Sequence, residues 1–171
     1  MKHLYIDVKA ILNELGAQQS FTGGVPLEAA KLGEELIEFS GPFEINATLC
    51  SINQGVTITG EATGHARLRC SRCLERFNYE VRVSINEIAM VEAPQDPEDV
   101  FEIVDGKIDL AAIVYQNVIV EVPIQPLCRE ACAGLCSECG KSQNDEPHEH
   151  VKDETDERLA PLKKYLKENK R

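Results

Sequence analysis

Residues 55–85 of the chain read GVTITGEATGHARLRCSRCLERFNYEVRVSI. Apolar and polar side chains alternate over about fourteen residues of the first half, which is the period of a strand with one buried face. The side chains expected on that face are Val56, Ile58, Ala62, Ala66 and Leu68. After the C-x-x-C segment the alternation resumes, with the expected inward residues Phe77, Tyr79, Val81, Val83 and Ile85. This pattern predicts a long antiparallel hairpin with a cysteine pair in its turn.

The flanking sequence extends this hairpin into an α+β fold built on an antiparallel β-sheet. The N-terminal segments are predicted to form a strand, a brief helix and a Gly-rich connection, at residues 3–8, 10–19 and 20–26 respectively. Strand sequence resumes at Glu34. The fold class therefore comprises a zinc-knuckle hairpin in the sheet, one or two helices and a C-terminal cysteine-rich zinc-binding segment.

A second helix is predicted to begin at Asp109, a good N-cap residue, after an acidic, Pro-rich segment at 92–107 that is expected to be a surface loop. One face of this helix would carry Leu110, Ile113, Val114 and Asn117. Residues 109–118 are predicted to be helical. Residues 118–122 are β-branched and fit either a helix or a strand.

These segments divide the chain into three parts. Residues 1–126 are predicted to form a β-rich core domain that carries the first cysteine pair, and residues 127–150 a Cys/His zinc-binding segment. Residues 151–171 read as an acidic spacer followed by a basic helix with leucines at helical spacing. A chain of 171 residues is long enough for one ordinary core and an appendage of this kind.

The composition favours an intracellular protein that does not bind nucleic acid over its whole surface. The formal net charge is −11, and there is no Trp to stack on bases. No signal sequence is recognisable at the N-terminus, and no stretch approaches the ~20 apolar residues of a membrane span. We therefore expect a cytoplasmic location without membrane contact. In such a reducing compartment clustered cysteines are expected to bind metal rather than form disulfides.

A local basic strip surrounds the first cysteine pair, although the chain is acidic. It consists of Arg67, Arg69, Arg72 and Arg76. These arginines and the basic C-terminal tail are candidates for contact with RNA or a protein partner. The alternative is that such a run of charges is simply a solvated face.

Eight side chains have the spacing and chemistry of zinc ligands. The candidates are Cys70, Cys73, Cys128, Cys132, Cys136, Cys139, His148 and His150. Because tetrahedral zinc takes four ligands, this inventory fits two closed sites. A redox C-x-x-C pair would open a helix after a strand, whereas a strand follows Cys73. The two histidines have the alternative of being solvated, and Cys50 is expected to be a buried small apolar side chain.

The spacing leaves the pairing of ligands open. The two C-x-x-C pairs, Cys70/Cys73 and Cys136/Cys139, can share one ion as in a zinc ribbon. Alternatively each pair has its own ion, the first with Cys128 and Cys132 and the second with the two histidines. Either way the metal closes a loop of more than fifty residues. Closing it costs about 3–4 kcal/mol, which about 10–16 kcal/mol of zinc binding outweighs. Zinc is therefore expected to pin the C-terminal segment to the hairpin.

Three stretches of the chain resemble the YceD family of bacterial and plastid proteins, which is named for the accumulation of large-subunit ribosomal RNA. They are CSRCLERF at 70–77, DLAAIVYQNVIVEVPIQPLCREACAGLCSECGKSQN at 109–144 and DERLAPLKKYL at 156–166. The resemblance covers residues 34–171. It implies a role in the synthesis, processing or stability of the large ribosomal RNA, and hence in ribosome biogenesis.

The resemblance also bears on the ligands. Some members of the family keep the first cysteine pair and the ligands near 128–132 but lack the later GLC-x-x-CG segment. This implies that Cys70, Cys73, Cys128 and Cys132 form a self-sufficient site, so we favour two separate sites. Many relatives end the cluster with Cys-x-Cys where this chain has His148-Glu149-His150, and histidine can replace thiolate at zinc.

We therefore expect a non-catalytic, zinc-binding factor that supports the accumulation of large-subunit ribosomal RNA. Its expected partners are ribosome assembly proteins or large-subunit precursors, with limited RNA contact and no small-molecule substrate. One alternative is a thiol-based redox switch, in which oxidised cysteines release zinc. Another is a zinc-dependent hydrolase or nuclease, which would need an open coordination position and a general base. Only the His148-Glu149-His150 segment hints at the second alternative.

Overall fold

The computed structural model describes residues 3–33, 35–92 and 100–150. In these residues the chain forms nine strands and two helices. They are β1 (Tyr5–Asp7), α1 (Lys9–Leu12), β2 (Gln18–Val25), β3 (Ala30–Leu32), β4 (Glu35–Phe39), β5 (Phe43–Ile52), β6 (Gly55–Arg69), β7 (Arg76–Met90), β8 (Phe101–Glu102), β9 (Lys107–Asp109) and α2 (Leu110–Glu121). The structure is mostly antiparallel sheet with two helices, which confirms the predicted α+β class.

The hairpin of β6 and β7 is the longest feature of the sheet. Its register runs from Gly55 opposite Met90 to Arg69 opposite Arg76, so each strand is about 50 Å long at about 3.3 Å per residue. The inward residues predicted for β6 are all buried, whereas in β7 Phe77 and Tyr79 are only partly buried. The alternation therefore predicted the hairpin and its inner face correctly.

The inner face of β6 also contains glycine where a larger residue would clash. A Cβ atom at Gly64 would lie only 2.6 Å from the ring of Phe43, which is fully buried on the neighbouring strand β5. Real side chains essentially never come so close to each other, so Gly64 leaves the space that this ring fills.

The main sheet is built around β6. Strand β7 pairs with one edge of β6, while β5 and β4 pair with the other edge, followed by β2 and β3 respectively. Strand β8 adds to β7 in parallel orientation. Strands β1 and β9 form a separate antiparallel pair. The open end of the β6–β7 hairpin and its turn thus lie at opposite ends of the sheet, and the turn carries the first cysteine pair.

Helix α2 packs its apolar face against the sheet. The side chain of Asp109 caps the helix by accepting a hydrogen bond from the backbone N–H of Ala111 at 3.2 Å, as predicted. Three of the four residues predicted for the inner face (Leu110, Ile113 and Val114) are buried. The fourth, Asn117, is part-buried and donates a hydrogen bond from its side-chain amide to Glu87 at 2.8 Å. The helix continues to Glu121, so the ambiguous β-branched residues are mostly helical.

Three local predictions were wrong. Residues predicted as a Gly-rich connection form the edge strand β2, which pairs along its whole length with β5. The first helix is shorter than predicted because backbone hydrogen bonds from Gly16 to Ser51 and from Ser51 to Ala17 tie the chain to β5. The predicted loop at 92–107 contains the short strand β8 and the first residue of β9, although residues 93–99 lie outside the described part.

The chain divides into two compact units between Cys132 and Ala133. The first unit contains every strand and helix named above. The described residues of the second unit are 133–150. The three-part division drawn from the sequence stays a prediction, and the helix predicted within 151–171 lies outside the described residues. No helix in the described ranges has the length and apolar character needed to cross a membrane.

Candidate metal centres

Four cysteines of the first unit lie together at the turn of the β6–β7 hairpin. We call Cys70, Cys73, Cys128 and Cys132 the first group, and their sulfur atoms all lie within 4.8 Å of one another. The first two belong to the turn itself, and the other two follow α2 in the sequence. Three of the four are buried, and Cys128 is partly buried.

The sulfur separations match a tetrahedral zinc site. The Sγ atoms of Cys70 and Cys132 are 3.8 Å apart, and those of Cys73 and Cys128 are 3.7 Å apart. Four thiolates at the usual Zn–S distance of about 2.3 Å form a tetrahedron with edges of about 3.8 Å. A disulfide would need about 2.05 Å. The arrangement therefore fits an ion among four sulfurs and does not fit cross-linked pairs.

Backbone hydrogen bonds fix the shape of this turn. The N–H of Cys70 donates to the carbonyl of Glu75 at 2.8 Å, and the N–H of Leu74 donates to the carbonyl of Cys70 at 2.9 Å. Leu74 has φ of 60°, in the left-handed region that leucine rarely adopts. The turn thereby points both thiols toward the same side.

Side chains of the turn also hold the segment that supplies the other two cysteines. Ser71 donates from both its backbone N–H and its hydroxyl to the carbonyl of Pro126, at 2.8 and 3.0 Å. The Nη1 of Arg72 donates to the carbonyl of Cys132 at 2.9 Å and to that of Glu130 at 3.4 Å. Sequence reasoning did not identify this role of Ser71 and Arg72. The only signal is their position between the two cysteines of the turn.

Burial, nearby backbone N–H groups and the neighbouring thiols change the pKa values of the cysteines in the first group. Burial raises the pKa of Cys70, but the backbone N–H groups of Cys73, Cys128 and Arg72 outweigh it and lower the pKa to about 6. At Cys73 the N–H of Glu75 lowers the pKa, whereas burial and the neighbouring thiols raise it to about 12. Burial is also the largest cause that raises the pKa of Cys128. Four adjacent thiolates need a compensating cation, which a divalent ion supplies.

The remaining arginines of the basic strip lie on the surface beside this turn. Arg69 forms an ion pair with Glu35 at 3.6 Å, and Arg76 forms one with Glu38 at 3.5 Å. Arg67 is exposed on β6. The structure therefore places all four arginines at the surface, and Arg72 also donates to the backbone carbonyls of Glu130 and Cys132.

The second group consists of Cys136, Cys139, His148 and His150, whose ligand atoms also lie within 4.8 Å of one another. Its turn repeats the hydrogen bonds of the first one. The N–H of Cys136 donates to the carbonyl of Lys141 at 2.8 Å, and the N–H of Gly140 donates to that of Cys136 at 2.9 Å. Gly140 has φ of 71°, at the position that Leu74 occupies in the first turn.

His148 presents one ring nitrogen to the second group. Its Nδ1–H donates to the carbonyl of Glu146 at 2.7 Å, which leaves the lone pair of Nε2 facing Cys139 at 3.1 Å. Tetrahedral zinc would separate these two ligand atoms by about 3.6 Å. The Nδ1 of His150 lies 3.4 Å from the carboxylate of Glu138. The donors fit a metal, with a modest adjustment of the Cys139–His148 separation.

The second group is more exposed than the first, and backbone groups of its own short segment shift the pKa values of Cys136 and His148. The backbone N–H groups of Cys139 and Glu138 lower the pKa of Cys136 to about 6. The carbonyl of Glu146 raises the pKa of His148. Cys139 and His150 are exposed, whereas Cys136 is buried. The structure thus brings together the same two sets of side chains as the favoured alternative.

Comparisons with known proteins agree with the resemblance seen in the sequence. An uncharacterized protein of Mycobacterium leprae, ML1660, is 33% identical over 71% of this chain and 59% of its own length. The uncharacterized protein Rv2926c of Mycobacterium tuberculosis is 30% identical over 80% of this chain and 69% of its own length. The uncharacterized protein YlbN of Bacillus subtilis is 29% identical over 83% of this chain and 84% of its own length. The chain therefore spans less than two thirds of the M. leprae relative.

No solved structure matches the chain. A family model described as "Large ribosomal RNA subunit accumulation protein YceD" matches residues 58–166, which is more than half of the chain. This range includes all of the β6–β7 hairpin except the first three residues of β6, together with helix α2 and all eight side chains of the two groups. The chain belongs to the YceD family.

Proposed function

We propose that each group binds one zinc ion, and that the protein is a non-catalytic factor for the accumulation of large-subunit ribosomal RNA. The observation that carries the first half of this proposal is the geometry of the first group. Its sulfur separations of 3.8 Å between Cys70 and Cys132 and 3.7 Å between Cys73 and Cys128 fit the edges of a tetrahedron around zinc.

The choice of zinc follows from the donor atoms. Thiolates and imidazoles are the ligands that zinc prefers, whereas magnesium and calcium take oxygen ligands. Each group offers four protein ligands, which fill a tetrahedral site and leave no position open for a substrate or a reactive water. Zinc in such a closed site stabilises structure and does not catalyse hydrolysis, so we propose no enzymatic activity.

The ribosomal half of the proposal rests on the family and on the charge of the chain. The family description names the accumulation of the large ribosomal RNA. With a net charge of −11, the protein would repel bulk RNA and attract basic proteins, a class suited to ribosome assembly. We propose that large-subunit precursors or their assembly proteins are its partners, in the reducing cytoplasm, where seven free thiols persist.

Metal analysis tests the first half. Protein purified without added zinc should contain two zinc atoms per chain. The variants Cys70→Ser and Cys139→Ser should each contain one, because they belong to different groups. Cys50→Ser is the matched control, since Cys50 belongs to neither group, and it should retain both atoms. Less than about half an atom of zinc in the wild type would contradict the proposal, because structural sites bind zinc far more tightly than purification buffers do.

Sedimentation of cell extracts tests the second half. The protein should migrate with large-subunit precursors at low salt, and its depletion should lower large-subunit ribosomal RNA relative to small-subunit RNA. Raising the salt should release it, because contacts between charged surfaces are screened. A protein found only in the free fraction, with normal large-subunit RNA after depletion, would contradict the ribosomal role and leave the metal sites unaffected.

One observation also supports a second candidate function, a thiol-based redox switch. Cys139 is exposed, and a thiol that coordinates a metal is deprotonated, so with zinc bound the second group would offer an accessible thiolate. Low peroxide doses should then release one zinc ion, from the second group alone. If peroxide leaves both ions in place, the switch is wrong.

A further inference from the structure

A cavity of about 210 Å³ opens beside the turn of the first cysteine group, within the first unit. One wall is the hairpin of β3 and β4, a second is the end of β6 with the turn, and a third is the segment after α2. Apolar side chains dominate its lining. We call this feature the knuckle groove, and its main apolar residues are Leu32, Leu36, Leu74, Pro123, Ile124 and Pro126.

The knuckle groove exposes large apolar side chains from all three walls. The side chain of Ile124 is 91% exposed, that of Leu36 55% and that of Leu74 53%. Single exposed apolar residues are common on any protein, but a contiguous cluster with a concave shape is a feature of interaction sites. The three residues come from distant parts of the sequence, so the fold itself assembles this surface.

Leu74 lies at a position where glycine would adopt the backbone conformation with less strain. The equivalent position of the second turn is Gly140, which has nearly the same left-handed backbone and the same hydrogen bond to its cysteine. A leucine in this left-handed conformation is strained, whereas glycine adopts it freely. Because the side chain of Leu74 is half exposed in the groove, its contribution to fold stability does not explain why leucine occupies this position. Contact between this side chain and a partner would explain it.

The groove is formed before any partner arrives. Both donors of Ser71 hold the carbonyl of Pro126, so the segment after α2 is fastened to the turn. Pro123 and Pro126 have fixed φ angles, which limits the motion of this wall further. A rigid apolar groove loses little conformational entropy on binding, which favours affinity.

The charge around the groove selects the partner. Arg67, Arg69 and Arg76 line it, opposed by the single lining carboxylate of Glu35. The ion pairs that Arg69 and Arg76 make with Glu35 and Glu38 are solvent-exposed and contribute little energy, so carboxylates of a partner can replace them. This positive rim contrasts with the net charge of −11 of the whole chain.

We propose that the knuckle groove binds an acidic protein segment that inserts a leucine-sized side chain between flanking carboxylates. The cavity is smaller than the roughly 300–1,000 Å³ of cofactor and drug sites, but it accommodates one large side chain. RNA is a poorer fit, because no described lining residue is aromatic and Glu35 would repel phosphate. This binding goes beyond the proposed function and does not depend on it.

Fluorescence anisotropy with defined peptides tests the proposal on the full-length protein. One labelled synthetic peptide carries leucines at i, i+3, i+4 and i+7 with glutamates between them, and a second has lysines in place of the glutamates. The acidic peptide should bind, and the lysine peptide should bind at least about tenfold more weakly because it meets the arginine rim. Equal binding of the two peptides, or no binding of either, would overturn the proposal.

Two variants locate the binding. Leu74→Gly matches the backbone preference of the turn and keeps the fold, while Ile124→Ser changes a side chain that is almost fully exposed. Each variant should lower the affinity for the acidic peptide about tenfold, because it removes apolar contact with the peptide. Leu15→Ser, which alters an exposed leucine outside the groove, is the control and should have no effect. If the groove variants bind as well as the wild type, or if single-stranded RNA displaces the peptide and binds more tightly, the proposal is wrong.

Discussion

The two ligand groups use the same local turn in opposite settings. Both turns have a cysteine N–H bonded to a carbonyl five residues later, and both have a left-handed residue after the second cysteine. In the first group, Cys73 lies next to Cys128, 55 residues later in the sequence, and three of the four cysteines are buried. In the second group, all four ligands lie between Cys136 and His150, and most of them reach solvent.

This difference indicates two roles for the same motif. An ion bound in the first group would close a long loop and join the segment after α2 to the main hairpin. An ion bound in the second group would organise only its own short segment. The entropy of loop closure rises slowly with length, so distance alone does not weaken the first site. What differs is how much of the fold depends on each ion, and four sets of variants measure that.

The largest effect is expected from loss of the first ion. Cys73→Ser should lower the free energy of unfolding by about 4 kcal/mol or more, because it removes a metal ligand and leaves a buried cluster of thiols without its cation. Denaturant titration followed by circular dichroism measures this change. Removal of zinc from the wild type by a chelator should destabilise the protein comparably. A Cys73→Ser protein as stable as wild type would mean that the fold does not depend on this ion.

A smaller effect is expected from the arginine that supports the first group. Arg72→Met should lower the free energy of unfolding by about 1–2 kcal/mol, because the carbonyl of Cys132 loses a charged hydrogen-bond donor. It should also weaken zinc binding at the first group in a competition titration. Arg82→Met is the control, because Arg82 pairs with Glu80 on the exposed surface. Equal effects of the two variants would show that the Arg72 contact contributes nothing specific.

Loss of the second ion should affect zinc content more than stability. Cys139→Ser should remove one zinc atom per chain while the denaturation midpoint of the first unit stays within experimental error, since its ligands all belong to the second unit. In the wild type, a chelator should extract the ion of the more exposed second group first. A large fall in the midpoint of the first unit would show that the two groups depend on each other.

The smallest effect concerns the left-handed residue of each turn. Leu74→Gly should raise the free energy of unfolding by about 0.5 kcal/mol, because relief of backbone strain slightly exceeds the greater flexibility of glycine in the unfolded chain. The reverse exchange, Gly140→Leu, should instead weaken zinc binding at the second group. If Leu74→Gly destabilises the protein, the Leu74 side chain contributes to the fold more than its half-exposed surface indicates.

Much of the hairpin was predictable because its pattern is local. The alternation along β6 specified which residues are buried, since a strand turns successive side chains to opposite faces. Asp109 was recognisable as a helix cap for the same reason, because a cap bonds to residues next to it in sequence. The edge strand β2 was missed because Gly23 and Gly24 indicate a connection, and only pairing with β5 makes these residues a strand.

The eight candidate ligands were also recognisable from the sequence. Cysteine spacing and the turn that follows from it are short-range properties, and the chain encodes both C-x-x-C turns directly. Assignment of the first turn to Cys128 and Cys132 came from the resemblance to a family and not from spacing, which fits a shared ribbon equally well. For the contacts of Ser71 and Arg72 with the distant carbonyls of Pro126 and Cys132, the sequence offered only the position of these residues between two cysteines, which does not specify the carbonyls.

The sequence by itself determined the period of the strands, the cap of the main helix and the chemistry of the ligands, because each depends on neighbouring residues. Only the tertiary structure decided which cysteines share a group and which apolar side chains form the knuckle groove. Those features depend on how β4, the β6–β7 turn and the segment after α2 meet. Strand pairing and side-chain packing between these distant segments determine their relative positions, which cannot be read from the sequence of any one segment.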